Sequence, residues 1–420
     1  MKRIAITVSI AAVLAGTRLT LMGQAGPPPQ AAARDVIVVF YDDERDVDGL
    51  AAAHGRAYGA SVSQLYHSAL KGYAATISPA RLGDIRRDPR VAFISEDRPV
   101  EAVAQTLPTG VNRIDGEISS HYSSNTWNIA VAVIDTGSGP HSDLNIVGGK
   151  NCSNGISFSD GNGHGTHVAG TIGAVNNSVG VVGVAPGIPI YSVRVLNNQG
   201  SGSWSSIICG IDWVTANASS LNIKVANMSL GGAGTDDGNC GNSNSDALHK
   251  AICSSVAAGV TYVVAAGNDN VDLSGFVPAA YNEVLAVTAV ADFNGQPGGG
   301  AAATCRSEVD DTAAVFSNFT SPGSSDEGHT IAAPGVCIYS TWKGGGYNTI
   351  SGTSMASPHA AGTAALCIGT GACTDATPSA VITKLRTDAS SQPFSYGFVG
   401  DPTNPVAGRY YGYLIYAGGY

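Results

Sequence analysis

The chain has 420 residues, 44% of them apolar and only 13% charged, which excludes a disordered chain and leaves room for a sizeable core. Glycine, at 54 residues, is nearly twice as frequent as usual while proline, at 19, is ordinary, so many tight turns and close backbone approaches are expected without a collagen-like period. Basic and acidic residues number 12 and 11 up to Ala104 but 10 and 21 from Gln105 onward, and that acidic bulk excludes a protein that grips nucleic-acid backbones.

In chain order, residues 1–25 join a basic start (Lys2, Arg3) to an apolar stretch from Ile4 to Gly16 and small residues at Gly23-Gln24-Ala25. That is the layout of a secretory signal peptide, cut after Ala25. Arg18 ends the apolar run before the roughly 18 residues a membrane helix needs, and no later segment is long and apolar enough to span. Residues 26–34, with Pro27-Pro28-Pro29, form a linker. From 35 to 104 the pattern reads strand Asp35 to Phe40, helix Val47 to Tyr58, two strands within Val62 to Ile77, helix Ser78 to Arg87 and strand Val91 to Val103. The order βαββαβ predicts a small α+β domain of the ferredoxin-like sort.

Residues 105–420 read differently. The runs Ile129 to Ile134, Pro189 to Leu196, Val225 to Leu230, Tyr262 to Ala266 and Val284 to Val290 are almost continuously apolar and alternate with helical stretches. Strands buried on both faces and separated by helices predict a three-layer α/β/α domain with a mostly parallel central sheet. The glycine and alanine stretch at 298–303 is expected to be flexible, and the tail from Pro393 to Tyr420 to complete the domain.

Eight cysteines, all after residue 150, belong to a chain expected to be exported, so disulfides are the default reading. Closeness in sequence favours Cys240 with Cys253 and Cys367 with Cys373, leaving Cys305 with Cys337 and Cys152 with Cys209; buried free thiols are the alternative. No cysteine or histidine spacing suggests zinc.

Reactive groups in a doubly wound sheet belong beyond the carboxyl ends of the strands. Three strands end there in suggestive residues: Asp135-Thr136-Gly137, Ser229-Leu230-Gly231-Gly232 and Gly267-Asn268. Each alone is more often a turn than a catalytic site. Two segments are sharper: Gly163-His164-Gly165-Thr166-His167 starts a small-residue helix with an imidazole, and Gly352-Thr353-Ser354-Met355-Ala356-Ser357-Pro358-His359 starts another with a hydroxyl. Pro358 places that second helix's first turn close to Ser354. A serine needs a base to take its proton, and an imidazole base needs a carboxylate to fix its tautomer, so Ser354, His164 and Asp135 supply complementary parts.

These segments, in the order Asp, His, Ser and over most of residues 110–390, resemble the motifs of the subtilisin-like serine proteases. The resemblance implies a serine endopeptidase that needs no cofactor and acts as a monomer on protein and peptide substrates through an acyl-enzyme on Ser354. His164 is then the general acid and base, Asp135 its orienting partner and Asn268 a donor to the oxyanion, while His167 and His359 are structural. Substrate would pair as an added strand with Gly200-Ser201-Gly202 and Ser229-Leu230-Gly231, and Ala265-Ala266-Gly267 would help line the principal pocket. No carboxylate stands in these segments, which implies broad specificity. Val175, Asn177, Val179 and Val181, with Asp143, resemble a structural calcium site, and their hard oxygens suit that ion; a plain Asn-rich turn is the alternative. The 35–104 domain resembles the inhibitory propeptide of the family through Leu70 to Ala75 and Asp88 to Asp97, with self-cleavage expected between Ala102 and Gln105.

A neutral His164 is required, so activity is expected from neutral to alkaline pH, with loss near or below about 6.5. The rivals are an acid-acting carboxyl peptidase like the sedolisins, which have acidic residues where this chain has His164, and an inactive subtilisin-like fold used for binding. A metalloprotease is disfavoured by the lack of His-Glu-x-x-His.

Overall fold

The computed structural model describes residues 32–98 and 104–420. The expected signal segment, the proline run and residues 99–103 before the expected processing site lie outside the described residues. The chain divides into two compact units, Met1–Ala102 and Val103–Tyr420.

The first unit runs β1 (Arg34–Phe40), α1 (Val47–Tyr58), β2 (Ser61–Tyr66), β3 (Gly72–Ile77), α2 (Pro79–Arg86) and β4 (Val91–Glu96). Its antiparallel sheet has the order β2-β3-β1-β4, the ferredoxin-like arrangement expected. Local chemistry sets the limits of α1: the Asp46 carboxylate accepts the Gly49 N–H at the start, and Gly59, at φ 70°, ends it in the left-handed conformation. Alternate residues of β1, namely Val36, Val38 and Phe40, are buried with Leu50 and Ala51 of α1 and with Tyr73 and Ile77 of β3. The last strand stops at Glu96, short of the expected Val103.

The second unit is the expected three-layer α/β/α domain. Its strands are β5 (Ala130–Asp135), β6 (Ile146–Asn151), β7 (Ile190–Arg194), β8 (Ile223–Met228), β9 (Gly232–Ala233), β10 (Thr261–Ala265), β11 (Phe276–Val277), β12 (Leu285–Ala291), β13 (Thr312–Ala313), β14 (Thr330–Pro334), β15 (Ile338–Trp342) and β16 (Gly346–Ile350). The helices are α3 (Thr109–Arg113), α4 (His164–Gly173), α5 (Trp204–Asn217), α6 (Ala247–Ala257), α7 (Thr353–Gly369) and α8 (Pro378–Ser390). Strands β6-β7-β5-β8-β10-β12-β14 pair in parallel, and only β13 joins that sheet antiparallel.

The two-residue period of a strand sends its side chains to opposite faces. Val131 and Val133 of β5 join the core formed with α4, α7 and α8, while Ala130, Ala132 and Ile134 join the core formed with α5 and α6. Both faces are therefore covered, which is why the strand sequences read as unbroken apolar runs. The tail returns into the first of these cores through Leu414, Ile415, Ala417 and Tyr420.

Four disulfides join Cys152 to Cys209, Cys240 to Cys253, Cys305 to Cys337 and Cys367 to Cys373, the favoured set, and no cysteine is free. The 298–303 stretch differs from expectation. The Asp311 carboxylate accepts the Gly298 and Gly299 N–H groups and that of Asp310 accepts the Ala301 N–H, so this loop is fastened to the domain.

Candidate active site

Strands β5, β8 and β10 end side by side, and the N-termini of α4 and α7 meet the sheet at that edge. Asp135 closes β5 fully buried. Gly165, in the first turn of α4, lets the helix approach: a Cβ there would lie 2.0 Å from the Gly137 carbonyl oxygen and 3.0 Å from Asp135 Cβ. That close approach carries His164 to the carboxylate, and its Nδ1 lies 2.8 Å from Asp135 Oδ1, which also accepts the Thr136 N–H at 2.6 Å. The ring remains one-quarter exposed on its other side.

Asp160 anchors the start of α4. Its Oδ1 accepts from Thr136 Oγ1 (2.9 Å) and from the N–H groups of Asn162 (2.8 Å) and Gly163 (2.9 Å), and its Oδ2 from the N–H (2.9 Å) and hydroxyl (2.6 Å) of Thr166. A carboxylate at this helix end satisfies N–H groups that have no partner in a preceding turn. Burial pushes the His164 imidazolium down, but the charge and hydrogen bond of Asp135, with the charge of Asp160, hold its pKa above the ordinary 6.5. The expected acid limit for a neutral ring therefore shifts upward, to above 6.5 rather than near or below it.

Ser354 is the second residue of α7. Its hydroxyl donates to the Ser229 carbonyl at 3.2 Å, and among the described residues no hydrogen bond joins it to His164. Pro358 corrects one expectation: it stands sixth in the helix, not in the first turn. Lacking an N–H, it leaves the Ser354 carbonyl without its usual i+4 donor, and the Ser229 hydroxyl donates to that oxygen instead at 2.8 Å. Ser229 is held in turn by Asn227 Nδ2 (2.9 Å) and Ser357 Oγ (2.9 Å).

Asn268 follows β10, and its Oδ1 accepts both the N–H (2.8 Å) and the hydroxyl (3.0 Å) of Thr353, which fixes the amide and frees Nδ2 as a donor. A Cβ at Gly352 would stand 3.6 Å from the Ser354 nitrogen and 3.8 Å from Asn268 Nδ2, so these two donors border one small space. His167 and His359 are fully buried, with Nε2 of His167 on the Ile338 carbonyl and Nδ1 of His359 on that of Met355. Burial pushes them down to about 3 and about 4, so both stay neutral.

A cleft of about 750 Å³ opens beside His164, lined on one side by Gly200, Ser201 and Gly202 and on the other by Ser229, Leu230 and Gly231. Among the described residues no carboxylate lines it. Ala265, Ala266 and Gly267 are buried where β10 ends, next to Asn268. Around them, Asn318 Nδ2 donates to the Ala266 carbonyl, the Gly267 N–H donates to Thr353 Oγ1, and added Cβ atoms at Gly231 and Gly267 would both meet the Phe276 ring.

Beyond the C-terminal end of α4, the loop from Val175 to Val181 packs on Asp143. Asp143 accepts from Asn177 Nδ2 (2.9 Å), the Val181 N–H (3.1 Å) and the Tyr347 hydroxyl (3.3 Å). Gln105, which carries no motif of its own, reaches the carbonyls of Val175 (2.9 Å) and Val181 (3.1 Å) through its amide. The Val179 N–H is tied to Asn177 Oδ1 at 2.8 Å. Turned about, the two amides would present oxygen, giving an all-oxygen donor set that fits calcium. Asp160 and Gln105 were not expected from the sequence and left no local signal in it, since their partners lie on other segments.

Residues 127–399 match the sequence model of the subtilase family, peptidase S8, and residues 33–102 that of peptidase inhibitor I9. An alkaline protease of Alkalihalobacillus alcalophilus is 39% identical over 291 residues, covering 69% of this chain and 67% of the relative. Subtilisin E of Bacillus subtilis (strain 168) is 39% identical over 300 residues, covering 70% and 69% respectively. Among solved structures, that of a cold-adapted subtilisin-like serine proteinase matches with a TM-score of 0.55 at 33% identity, covering 74% of this chain and 97% of the other.

Proposed function

The chain belongs to the subtilase family, as a subtilisin-type serine endopeptidase with an I9 propeptide, and from that premise we propose that Ser354, His164, Asp135 and Asn268 carry out its chemistry. The observation that carries this reading is the 2.8 Å contact of His164 Nδ1 with buried Asp135, in a cleft also lined by Ser229, whose carbonyl accepts from the Ser354 hydroxyl.

Catalysis needs no cofactor. A χ1 rotation takes the Ser354 hydroxyl from the Ser229 carbonyl toward His164 Nε2, which accepts its proton as Oγ attacks the scissile carbonyl. Negative charge on the tetrahedral oxygen is met by the Ser354 N–H and Asn268 Nδ2, at the positive end of α7. His164 then protonates the departing amine, and water releases the acyl group by the same path in reverse. Asp135 keeps the proton on Nδ1 and stabilises the cation.

The substrate strand lies between Gly200-Ser201-Gly202 and Ser229-Leu230-Gly231, its side chains dropping alternately into the cleft. Ala265, Ala266 and Gly267 help to line the principal pocket. With no carboxylate at hand, that pocket accepts apolar side chains broadly. Asp143, Val175, Asn177, Val179 and Val181, joined by Gln105, bind a structural calcium ion. Residues 35–104 act as the inhibitor and folding aid, 105–420 as the enzyme, and the bond between them is cut by the enzyme itself. Export is supported by the Lys2 to Ala25 segment and four disulfides; no helix among the described residues is long and apolar enough to cross a membrane. The enzyme acts as a monomer, because one chain supplies every group.

Replacing Ser354 by Ala tests the reading. Casein hydrolysis should fall by on the order of 10⁶-fold, the loss known for this kind of serine, and the precursor should stay uncut. Unchanged hydrolysis and processing would sink it.

A further inference from the structure

A second cluster of reactive side chains lies away from the cleft, where the loop after β9 returns into α6. His249 on α6 is fully buried and stacks on Tyr281 with ring centroids 4.0 Å apart and planes 2° apart. Its Nε2 meets Glu283 Oε2 at 2.9 Å. Its Nδ1 faces Asp237 Oδ1 at 3.2 Å and Asp236 Oδ1 at 3.4 Å, yet neither this nitrogen nor Asp236 Oδ1 makes a hydrogen bond among the described residues. We infer that His249 Nδ1, Asp236 and Asp237 form a site for a divalent first-row metal ion, zinc by its donor set.

Three observations support this. The first is distance: two ligands about 2.1 Å from one ion and a tetrahedral angle apart are separated by about 3.4 Å, close to the separations at Nδ1. The second is tautomer: with Glu283 accepting from Nε2–H, the Nδ1 lone pair points at two carboxylates, and a cation between them turns repulsion into coordination. Carboxylate–histidine–metal relays share this arrangement.

The third is preorganisation. Asp237 takes the N–H groups of Asn239 (2.9 Å), Gly241 (2.9 Å), Ser243 (2.7 Å) and Asn244 (3.3 Å), and Asn282 Nδ2 holds Asp236 Oδ2 at 2.5 Å. The Cys240–Cys253 disulfide ties the same loop to α6, so these cysteines offer no thiolate. An imidazole nitrogen among the donors favours zinc over calcium, which prefers oxygen throughout. Asp236 remains partly exposed, leaving a route for the ion and a place for water as fourth ligand.

The test uses the purified enzyme, kept from self-digestion by a serine-directed inhibitor, stripped with chelator and titrated with zinc in a large excess of calcium. One zinc per chain should bind, and cobalt in its place should give visible ligand-field bands. Asp236→Asn should abolish binding, and Glu283→Gln should weaken it by about 10–100-fold. His249→Gln is the direct variant; should it fail to fold, the two carboxylate variants decide. A wild-type chain that takes up no zinc and carries a doubly protonated His249 at neutral pH would overturn the proposal in favour of a buried ion pair. Zinc uptake unaffected by Asp236→Asn would overturn it too.

Discussion

Replacing Asn268 by Leu and, in parallel, by Asp separates its two hydrogen-bonding roles. The carboxamide oxygen accepts the Thr353 N–H and hydroxyl, and the nitrogen shares with the Ser354 N–H the space beside Gly352. Leucine removes both functions. Loss of one of two oxyanion donors should lower kcat by about 10²–10³-fold, or about 3–4 kcal/mol, a size established on a subtilisin. KM should hardly move, because substrate is gripped through the backbone edges at 200–202 and 229–231. Stability should fall by about 1 kcal/mol for the Thr353 N–H left without its acceptor, which a domain of this size tolerates. Asn268→Asp distinguishes the effects: its carboxylate still accepts from Thr353, so stability returns, but it offers the oxyanion no donor and turnover stays low. Peptide-anilide kinetics on active-site-titrated enzyme, with denaturant unfolding of each variant, supply both numbers. A kcat for Asn268→Leu equal to that of the parent would refute the reasoning.

Asp160→Asn removes a charge that helps hold the His164 pKa up, so the acid limb of kcat/KM should move to lower pH; a folded variant whose limb stays put would count against this. Asp292 is buried beside Arg113 and Asp311, and burial, partly offset by the Gly295 N–H and Arg113, pushes it up to about 7 from 3.8. A raised folded-state pKa adds stability below the unfolded value that is lost as pH climbs through the folded one. Asp292→Asn should therefore stabilise the enzyme at alkaline pH by up to a few kcal/mol, about 1.4 kcal/mol for each pH unit between the unfolded and folded values, and give no gain below pH 3.8. Melting curves at both extremes check this, and equal gains at the two would contradict it. Withdrawing calcium should lower the stability of the parent by about 2.7 kcal/mol relative to calcium at 100 times its Kd, read as a drop in melting temperature, and Asp143→Asn should make the melting temperature independent of added calcium.

Much of this was legible because local pattern and tertiary role coincide. The β5, β8 and β10 sequences are apolar on both faces because helices cover both, and the residues closing them fall where a parallel sheet exposes its reactive edge. His164 and Ser354 could be found because helix N-termini impose glycine and small residues around them. Other features depend on distant partners. Asp160 reads as a loop carboxylate until Thr136 and Thr166 arrive, and Gln105 has no meaning without carbonyls about 70 residues onward. Pro358 pointed to the right helix but the wrong turn, since the missing donor is replaced by Ser229, just past the end of β8.

The proline in α7 has a mechanical consequence. A helix with its full ladder would hold the nucleophile's peptide group by internal bonds alone, deaf to what happens in the cleft. Here the carbonyl of Ser354 hangs from the hydroxyl of Ser229, and the hydroxyl of Ser354 from the carbonyl of Ser229. On the proposed mechanism, tension on a segment clasping a polypeptide would reach the attacking oxygen directly, tying occupancy to readiness through two short tethers.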